Sequence, residues 1–441
     1  VIFHTEPLIS VGLIENAAQI DFELQGDYML DGRAVPAGCY RAVYAAGVVA
    51  LSDGSSRELM RGRQVCFKPA ALQDNYFTLH NVAIGHEFHW ERLQSQRFRG
   101  ELAFAAFGHE GITAVNRIGL EAYLESVICS EMSPESDGEF LKAHCIISRS
   151  WLLAQLELKR AAGVPASSPD GVFTDAATHK NFDVCNDDHC QRYHGIGRVN
   201  PAAQHALAAT RGQVLMSDGE ICDTRFSKCC GGISERFSTC WQDADFAYLK
   251  PVADCAPGSV VFCPPVSAEA DARRFILADP PAFCNVTDPG LLARVLPDFD
   301  FETQQFFRWS VTLSQSELQG LLLNKTGIDF GGIKSLSPLA RGDSGRIYEL
   351  KITGTKAEKS ISKELAIRRA LSPSHLYSSA FIVESSAEKD GIPEAFTLRG
   401  AGWGHGVGLC QIGAAAMAAQ GYGCSAILAH YFRGAALKTI Y

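Results

Sequence analysis

The chain has 441 residues, 46% of them apolar and 20% charged, which suits two or three domains or one elaborated domain and excludes a disordered chain. Its net charge of −9 comes without basic runs, which argues against a nucleic-acid binder. The longest clean apolar run, Ala42 to Leu51, is ten residues, whereas a membrane span needs roughly twenty, so no membrane span is expected. The sequence starts at Val1 with neither a basic segment nor an apolar signal core, and the expectation is that either a leader has been removed or the chain has been trimmed.

Residues 1–110 read as short strands. Asp31-Gly32 and Asp53-Gly54 have hairpin-turn chemistry. Glu87-Phe88-His89-Trp90 alternates as a half-buried strand would, and apolar positions follow at Phe98, Leu102 and Phe104. No catalytic set stands out here, and a β-rich scaffold that could serve as a recognition surface is expected. From Leu120 the period becomes helical, as far as Cys129, and Met132-Ser133-Pro134 breaks it. A second helix is expected from about Glu139 to Lys159, capped by Ser136 or Asp137 and apolar nearly all round, hence buried. Residues 165–200 are turn-rich and crowded with His, Cys, Asp and Asn. Residues 250–300 read as an irregular connection and residues 305–400 as mixed strand and helix. A glycine-rich loop, Gly402 to Gly408, leads into a helix from about Gln411 to Ala419, stopped by Gly421.

The 15 cysteines are unevenly placed: nine fall between Cys185 and Cys284. Cys129 and Cys145 sit in apolar runs and read as small core residues. The central group reads as a metal site, disulfides or both, with Cys255 and Cys263 as a loop disulfide.

Three segments are the candidates for chemistry. The first is Tyr123-Leu124-Glu125-Ser126-Val127-Ile128-Cys129-Ser130-Glu131-Met132, followed by Lys142-Ala143 and Ser148-Arg149. The second is Phe226-Ser227-Lys228-Cys229-Cys230-Gly231-Gly232-Ile233-Ser234-Glu235, ending at Trp241. The third is Gly402-Trp403-Gly404-His405-Gly406-Val407-Gly408-Leu409-Cys410-Gln411-Ile412-Gly413-Ala414. In that order they resemble the SpoIID/LytB family of sporulation and amidase-enhancer cell-wall proteins, over about 120–435. Ser148 stands where the family has Ala, and Phe226 where relatives usually carry Tyr.

The resemblance implies a peptidoglycan lytic transglycosylase, with Glu131 as catalytic acid/base cutting the MurNAc–GlcNAc bond of peptide-free strands. The muramic sugar's own primary hydroxyl displaces the leaving group and leaves a 1,6-anhydro ring. One carboxylate suffices because the nucleophile is tethered and its effective concentration is high. Ordinary glycosidases need two carboxylates to manage water or a covalent intermediate. Lys142 and Arg149, two helical turns apart on one face, match the family's basic positions. They either capture the lactyl carboxylate of muramic acid or pair structurally at the edge of a buried helix. Ser227 and Glu235 are the polar candidates of the second segment, and His405 and Gln411 those of the third. All four are expected to bind substrate, the alternative being that their loops only pack the fold.

His179, Cys185, His189 and Cys190 suit tetrahedral zinc by softness and number, and their order resembles a zinc site in some family members. A Cys185–Cys190 disulfide is the competing reading, and Cys229, Cys230 and Cys240 are rival ligands. Four protein ligands would make the ion structural. The expected architecture is α+β: a β-rich part over 1–110, then a SpoIID-like part over 111–441, with its core in 111–245 and 395–441 and an inserted or linking region in 246–394. The expected partners are glycan strands, with a cell-wall amidase as a second candidate, and the expected location is secreted or periplasmic in a bacterial envelope. Two rival functions stand beside the enzyme: a non-catalytic glycan-binding amidase enhancer and a zinc-dependent amide hydrolase.

Overall fold

Alternation in the first 119 residues produces two sheets packed face to face. The computed structural model describes residues 3–86, 91–108, 110–161, 179–297, 300 and 305–441. One sheet contains Leu8–Ala17, Ile112–Gly119, Glu101–Ala105, Gln64–Pro69, Tyr28–Leu30 and Arg33–Val35. The short strand Val184–Cys185 adds to its edge, parallel to Leu8–Ala17. The other orders Arg92–Phe98, Tyr76–Ile84, Gln19–Gln25, Gly38–Ala45, Val48–Asp53 and Glu58–Gly62. Phe22 of the second sheet meets Phe67 and Phe104 of the first at ring-centroid distances of 5.4 and 4.8 Å. Each buried ring of this kind contributes about 1.5–3 kcal/mol.

Asp31-Gly32 forms the expected two-residue turn between Leu30 and Arg33, with φ of 48° and 75°. The ten-residue apolar run hides a second such turn. Ala46 and Gly47 reverse the chain between Ala45 and Val48, so the run forms two paired strands. Alternation alone does not reveal that break, because both turn residues are themselves small and apolar. The Glu87–Trp90 stretch lies outside the described residues.

Helix α1, Leu120–Glu131, follows the last of these strands directly and ends where Met132 turns extended. Helix α2, Gly138–Ala161, opens with the Asp137 carboxylate accepting the Glu139 N–H at 2.8 Å. Phe140, Leu141, Ile146, Ile147, Leu152 and Leu153 are buried along it, as the all-round apolar pattern requires. A third helix, Pro201–Ala209, is capped by Asn200 and packs on both. The fold is therefore α+β with a β-rich N-terminal part.

The second and third signature segments lie side by side. Phe226–Ser227 pairs in parallel with Leu409–Cys410. Gly231 and Gly402 touch so closely that a Cβ on Gly231 would sit 2.8 Å from the Gly402 nitrogen. The helix Gln411–Ala419 ends before Gly421, at φ 89°. The stretch read as an irregular connection contains two short helices, Glu269–Leu277 and Pro289–Val295, the second capped by Asp288. Residues 309–398 carry an apolar core of their own, including Trp309, Leu322, Leu350, Ile352, Ile367 and Leu398, between two three-stranded sheets and two helices.

Candidate functional site

Glu131 is the last residue of α1, and only 7% of its surface is exposed. A carboxylate at a helix C-terminus faces the negative end of the helix dipole, which disfavours it by about 0.3–1 kcal/mol. Among the described residues a single main-chain donor seats it: the Arg192 N–H gives a hydrogen bond to Oε1 at 2.9 Å. Among the described residues, no Lys, Arg or His side chain forms an ion pair with this carboxylate. It lines a cavity of about 810 Å³ together with His405, Gln411 and Ser227.

The cations around Glu131 are engaged by other acids. The Arg192 guanidinium holds Asp188 at 2.6 Å and Asp300 at 3.6 Å. The Lys228 ammonium pairs with Asp300 at 2.7 Å and donates to the main-chain carbonyl of Glu131 at 3.0 Å. Burial would raise the Asp300 pKa, but Lys228 and Arg192 outweigh it and hold the carboxyl below its ordinary value. At Asp188 burial wins over Arg192 and pushes the carboxyl up to about 7. Sequence reading passed over Arg192, Asp188, Lys228 and Asp300. Most of their contacts span 61 to 108 positions of chain, from Glu131–Arg192 to Arg192–Asp300, which no local motif encodes.

The two histidines and two cysteines of the 179–190 segment converge on the same cavity. The ligand atoms of His179, Cys185, His189 and Cys190 all lie within 4.8 Å of one another. Cys190 Sγ is 3.4 Å from both His179 Nε2 and His189 Nδ1. The Cys185 thiol is driven far down, first by hydrogen bonding with Cys190 and then, against burial, by both histidines. Two nitrogens and two sulfurs at this spacing are a soft tetrahedral donor set, and zinc fits it.

His405 and Gln411 come from the glycine-rich loop and the first turn of the helix after it. The Val407 N–H donates to His405 Nδ1 at 3.0 Å, leaving the proton on Nε2. Burial, with the charges of Arg225, Arg346 and Arg368, drives the His405 pKa well down, so the ring is neutral. Trp241 meets it edge-on at 4.8 Å. The loop needs Gly406 because a Cβ there would lie 2.4 Å from the guanidinium carbon of the buried Arg346. Gln411 Nε2 donates to His144 Nε2 at 3.0 Å, and His144 Nδ1 lies 3.2 Å from Ser148 Oγ. The buried Ser227 hydroxyl has no hydrogen-bond partner among the described residues. Phe226, Trp151, Trp241 and Trp403 supply aromatic wall, and Glu364, Arg368, Arg369 and His375 close one side. That last group comes from the segment read as inserted or linking, where no site residue was expected.

Three expected substrate contacts lie elsewhere. Arg149 is fully buried and grips Glu121 with two hydrogen bonds, Nε to Oε1 at 2.9 Å and a terminal nitrogen to Oε2 at 2.7 Å. Lys142 is on the surface and pairs with Glu139 at 2.6 Å. The reason is helical phase: at about 100° per residue, the cavity residue Trp151 lies about 200° round the helix from Arg149. Glu235 is fully buried and accepts from the Asp343 and Ser344 N–H groups and the Ser344 hydroxyl, so it anchors the 342–344 turn behind the glycine-rich loop. Cys255 and Cys263 are free thiols, not a disulfide.

Residues 108–216 match the family described as Stage II sporulation protein. Residues 235–408 match a domain of unknown function, DUF8618. The cavity draws on both segments. An uncharacterized protein of Brachyspira hyodysenteriae is 25% identical over 342 residues, covering 78% of this chain and 72% of that relative. The 108–216 segment, which carries Glu131 and the His/Cys quartet, is thus the part of the chain that is similar to the SpoIID family.

Proposed function

We propose that the protein is a peptidoglycan lytic transglycosylase acting on MurNAc–GlcNAc bonds of glycan strands, with a preference for peptide-free strands. The observation that carries this reading is Glu131, a carboxyl that accepts one main-chain N–H on the wall of a large cavity and forms no ion pair among the described residues. Glu131 in its acid form gives its proton to the glycosidic oxygen as the bond to C1 breaks. The C6 hydroxyl of the same muramic residue then bonds to C1 and returns its proton to Glu131. No water is consumed, and the new end is a 1,6-anhydro sugar. Trp151, Trp241 and Trp403 suit the apolar faces of sugar rings, and Ser227, whose buried hydroxyl has no partner among the described residues, lines the cavity beside them. Arg368 and Arg369 replace Lys142 and Arg149 as cations for the lactyl carboxylate, because they line the cavity and the other two do not.

His179, Cys185, His189 and Cys190 would hold a zinc ion with a closed set of four protein ligands, and its chemistry there is structural. Its effect on catalysis runs through the chain: the quartet fixes the segment whose Arg192 N–H seats Glu131. One observation favours a zinc amide hydrolase as a second reading, the position of the quartet on the same cavity as Glu131. Chelation separates the two, since a structural ion loses activity and fold together, whereas a reactive one loses activity alone. The first reading places the protein in the bacterial envelope, secreted or periplasmic, with glycan strands as partner.

The test is mass analysis of peptide-free glycan digested by wild type and by Glu131→Gln. Wild type is expected to release anhydro-disaccharides and the variant none, while both bind glycan. Products heavier by one water would replace this reading with hydrolysis. An absence of any product, with stimulation of an added cell-wall amidase, would replace it with the enhancer role.

A further inference from the structure

The second signature segment, the third, and the stretch between them meet at a buried thiol cluster that lies apart from the cavity lining. Cys230, Cys284 and Cys410 bring their sulfurs, and Asp254 a carboxylate oxygen, within 4.8 Å of one another, and all four residues are buried. Cys230 Sγ is 3.6 Å from Cys284 Sγ. A tetrahedral ion with zinc–sulfur bonds near 2.3 Å needs sulfurs about 3.8 Å apart, so the spacing is that of one ion's shell. Cys229, also buried, has its thiol in contact with Cys284 and Cys410.

The surroundings are prepared for negative charge. The Cys230 N–H points at Cys410 Sγ at 3.2 Å, and the Cys284 N–H donates to Asp254 Oδ2 at 3.1 Å. Tyr431 donates to Asp254 Oδ1 at 2.6 Å, an outer contact of the kind that orients a metal-bound carboxylate. The Arg308 guanidinium donates to the carbonyls of Gly231, Phe275, Ala278 and Phe307 and pairs with no carboxylate among the described residues. The buried Arg346 donates to the Cys230 carbonyl from two nitrogens at 3.3 Å. Thiolates around a divalent ion would add buried negative charge for these cations to balance.

We propose that Cys230, Cys284, Cys410 and Asp254 form a second metal site, a closed, structural site for one soft divalent ion of the zinc class. Three sulfurs and one oxygen complete a tetrahedron and leave no open position. The ion joins the wall loops at their roots. Cys230 follows Ser227 and Lys228 by three and two residues, and Cys410 precedes Gln411 directly. Cys229 and Trp403 already exchange main-chain hydrogen bonds at 3.1 and 2.8 Å. The ion would add Cys284, from the stretch between the two segments, to that junction. The site stands or falls independently of the reaction and of the His/Cys quartet.

The test is X-ray absorption at the zinc edge on the full wild-type chain purified with zinc, together with zinc content per chain in Cys284→Ser and Cys190→Ser. The quartet alone gives two sulfur neighbours per zinc, so an average above two is expected. Cys284→Ser should lose about one zinc per chain that Cys190→Ser retains. One zinc per chain with a sulfur count near three means that only the thiol site is filled, which overturns the quartet and upholds this site. An average of two or fewer overturns the proposal, as does a Cys230–Cys284 disulfide in the peptide map of the zinc-loaded protein. The absorption measurement needs no substitution, so a variant that fails to fold leaves the proposal testable.

Discussion

Helix α1 carries a glutamate near each end, and the two have opposite surroundings. Glu121, in the first turn, is gripped by the Arg149 fork and also accepts from the Tyr441 hydroxyl at 2.6 Å. Burial opposes its charge, yet Arg149 and these donors hold its carboxyl below the ordinary value. Glu131, ten residues on, has one main-chain N–H and no ionic partner among the described residues. The same side chain is a structural clamp at one end and a candidate for proton transfer at the other. What separates them is whether a cation is committed to the carboxylate.

The largest effect that sharpens this contrast is expected from Glu131→Gln. It should lower turnover by about 10²–10⁴-fold, the usual contribution of a general acid–base group, with an unchanged melting curve. Arg149→Met should do the reverse. It leaves Glu121 buried without its partner and should cost about 3–5 kcal/mol of stability, while turnover of the folded fraction stays near wild type. A loss of turnover without a loss of stability in Arg149→Met would break the comparison.

His144 gives a smaller, pH-dependent effect. Burial, aided by Lys228, lowers its pKa to about 3 from an ordinary 6.5. Between those values the unfolded chain binds a proton that the folded chain does not, so stability is lost as pH falls below 6.5. His144→Gln should flatten that loss by up to about 1.4 kcal/mol per pH unit, read from denaturant midpoints across the range. Ser227→Ala should raise KM about two- to tenfold at unchanged stability, the worth of one hydrogen bond to substrate. Lys142→Ala should leave both the melting curve and the kinetics near wild type, because its ion pair with Glu139 is solvent-exposed and screened.

Much of this arrangement is legible in the sequence where the signal is local. Helices α1 and α2 follow from period and from the Ser133-Pro134 break, the helix after the glycine-rich loop from its stop at Gly421, and the quartet from residue types within twelve positions. Lys142 and Arg149 show the limit. Spacing places them together on one face of α2, but only packing decides that this face meets Glu121 and the surface instead of the cavity. The turn at Ala46-Gly47 is hidden because its residues are as apolar as the strands it joins. Asp300 and the Cys284 thiol reach their sites through tertiary contacts alone, from a stretch whose composition reads as connection, and Arg368 does so from one read as inserted strand and helix.

The central claim is that the sugar's own hydroxyl, and not water, displaces the leaving group at Glu131. Digestion of peptide-free glycan in heavy-oxygen water tests it directly. The account predicts anhydro ends that carry no heavy oxygen. Reducing ends labelled with one heavy oxygen at C1, formed in wild type and lost in Glu131→Gln, would contradict it.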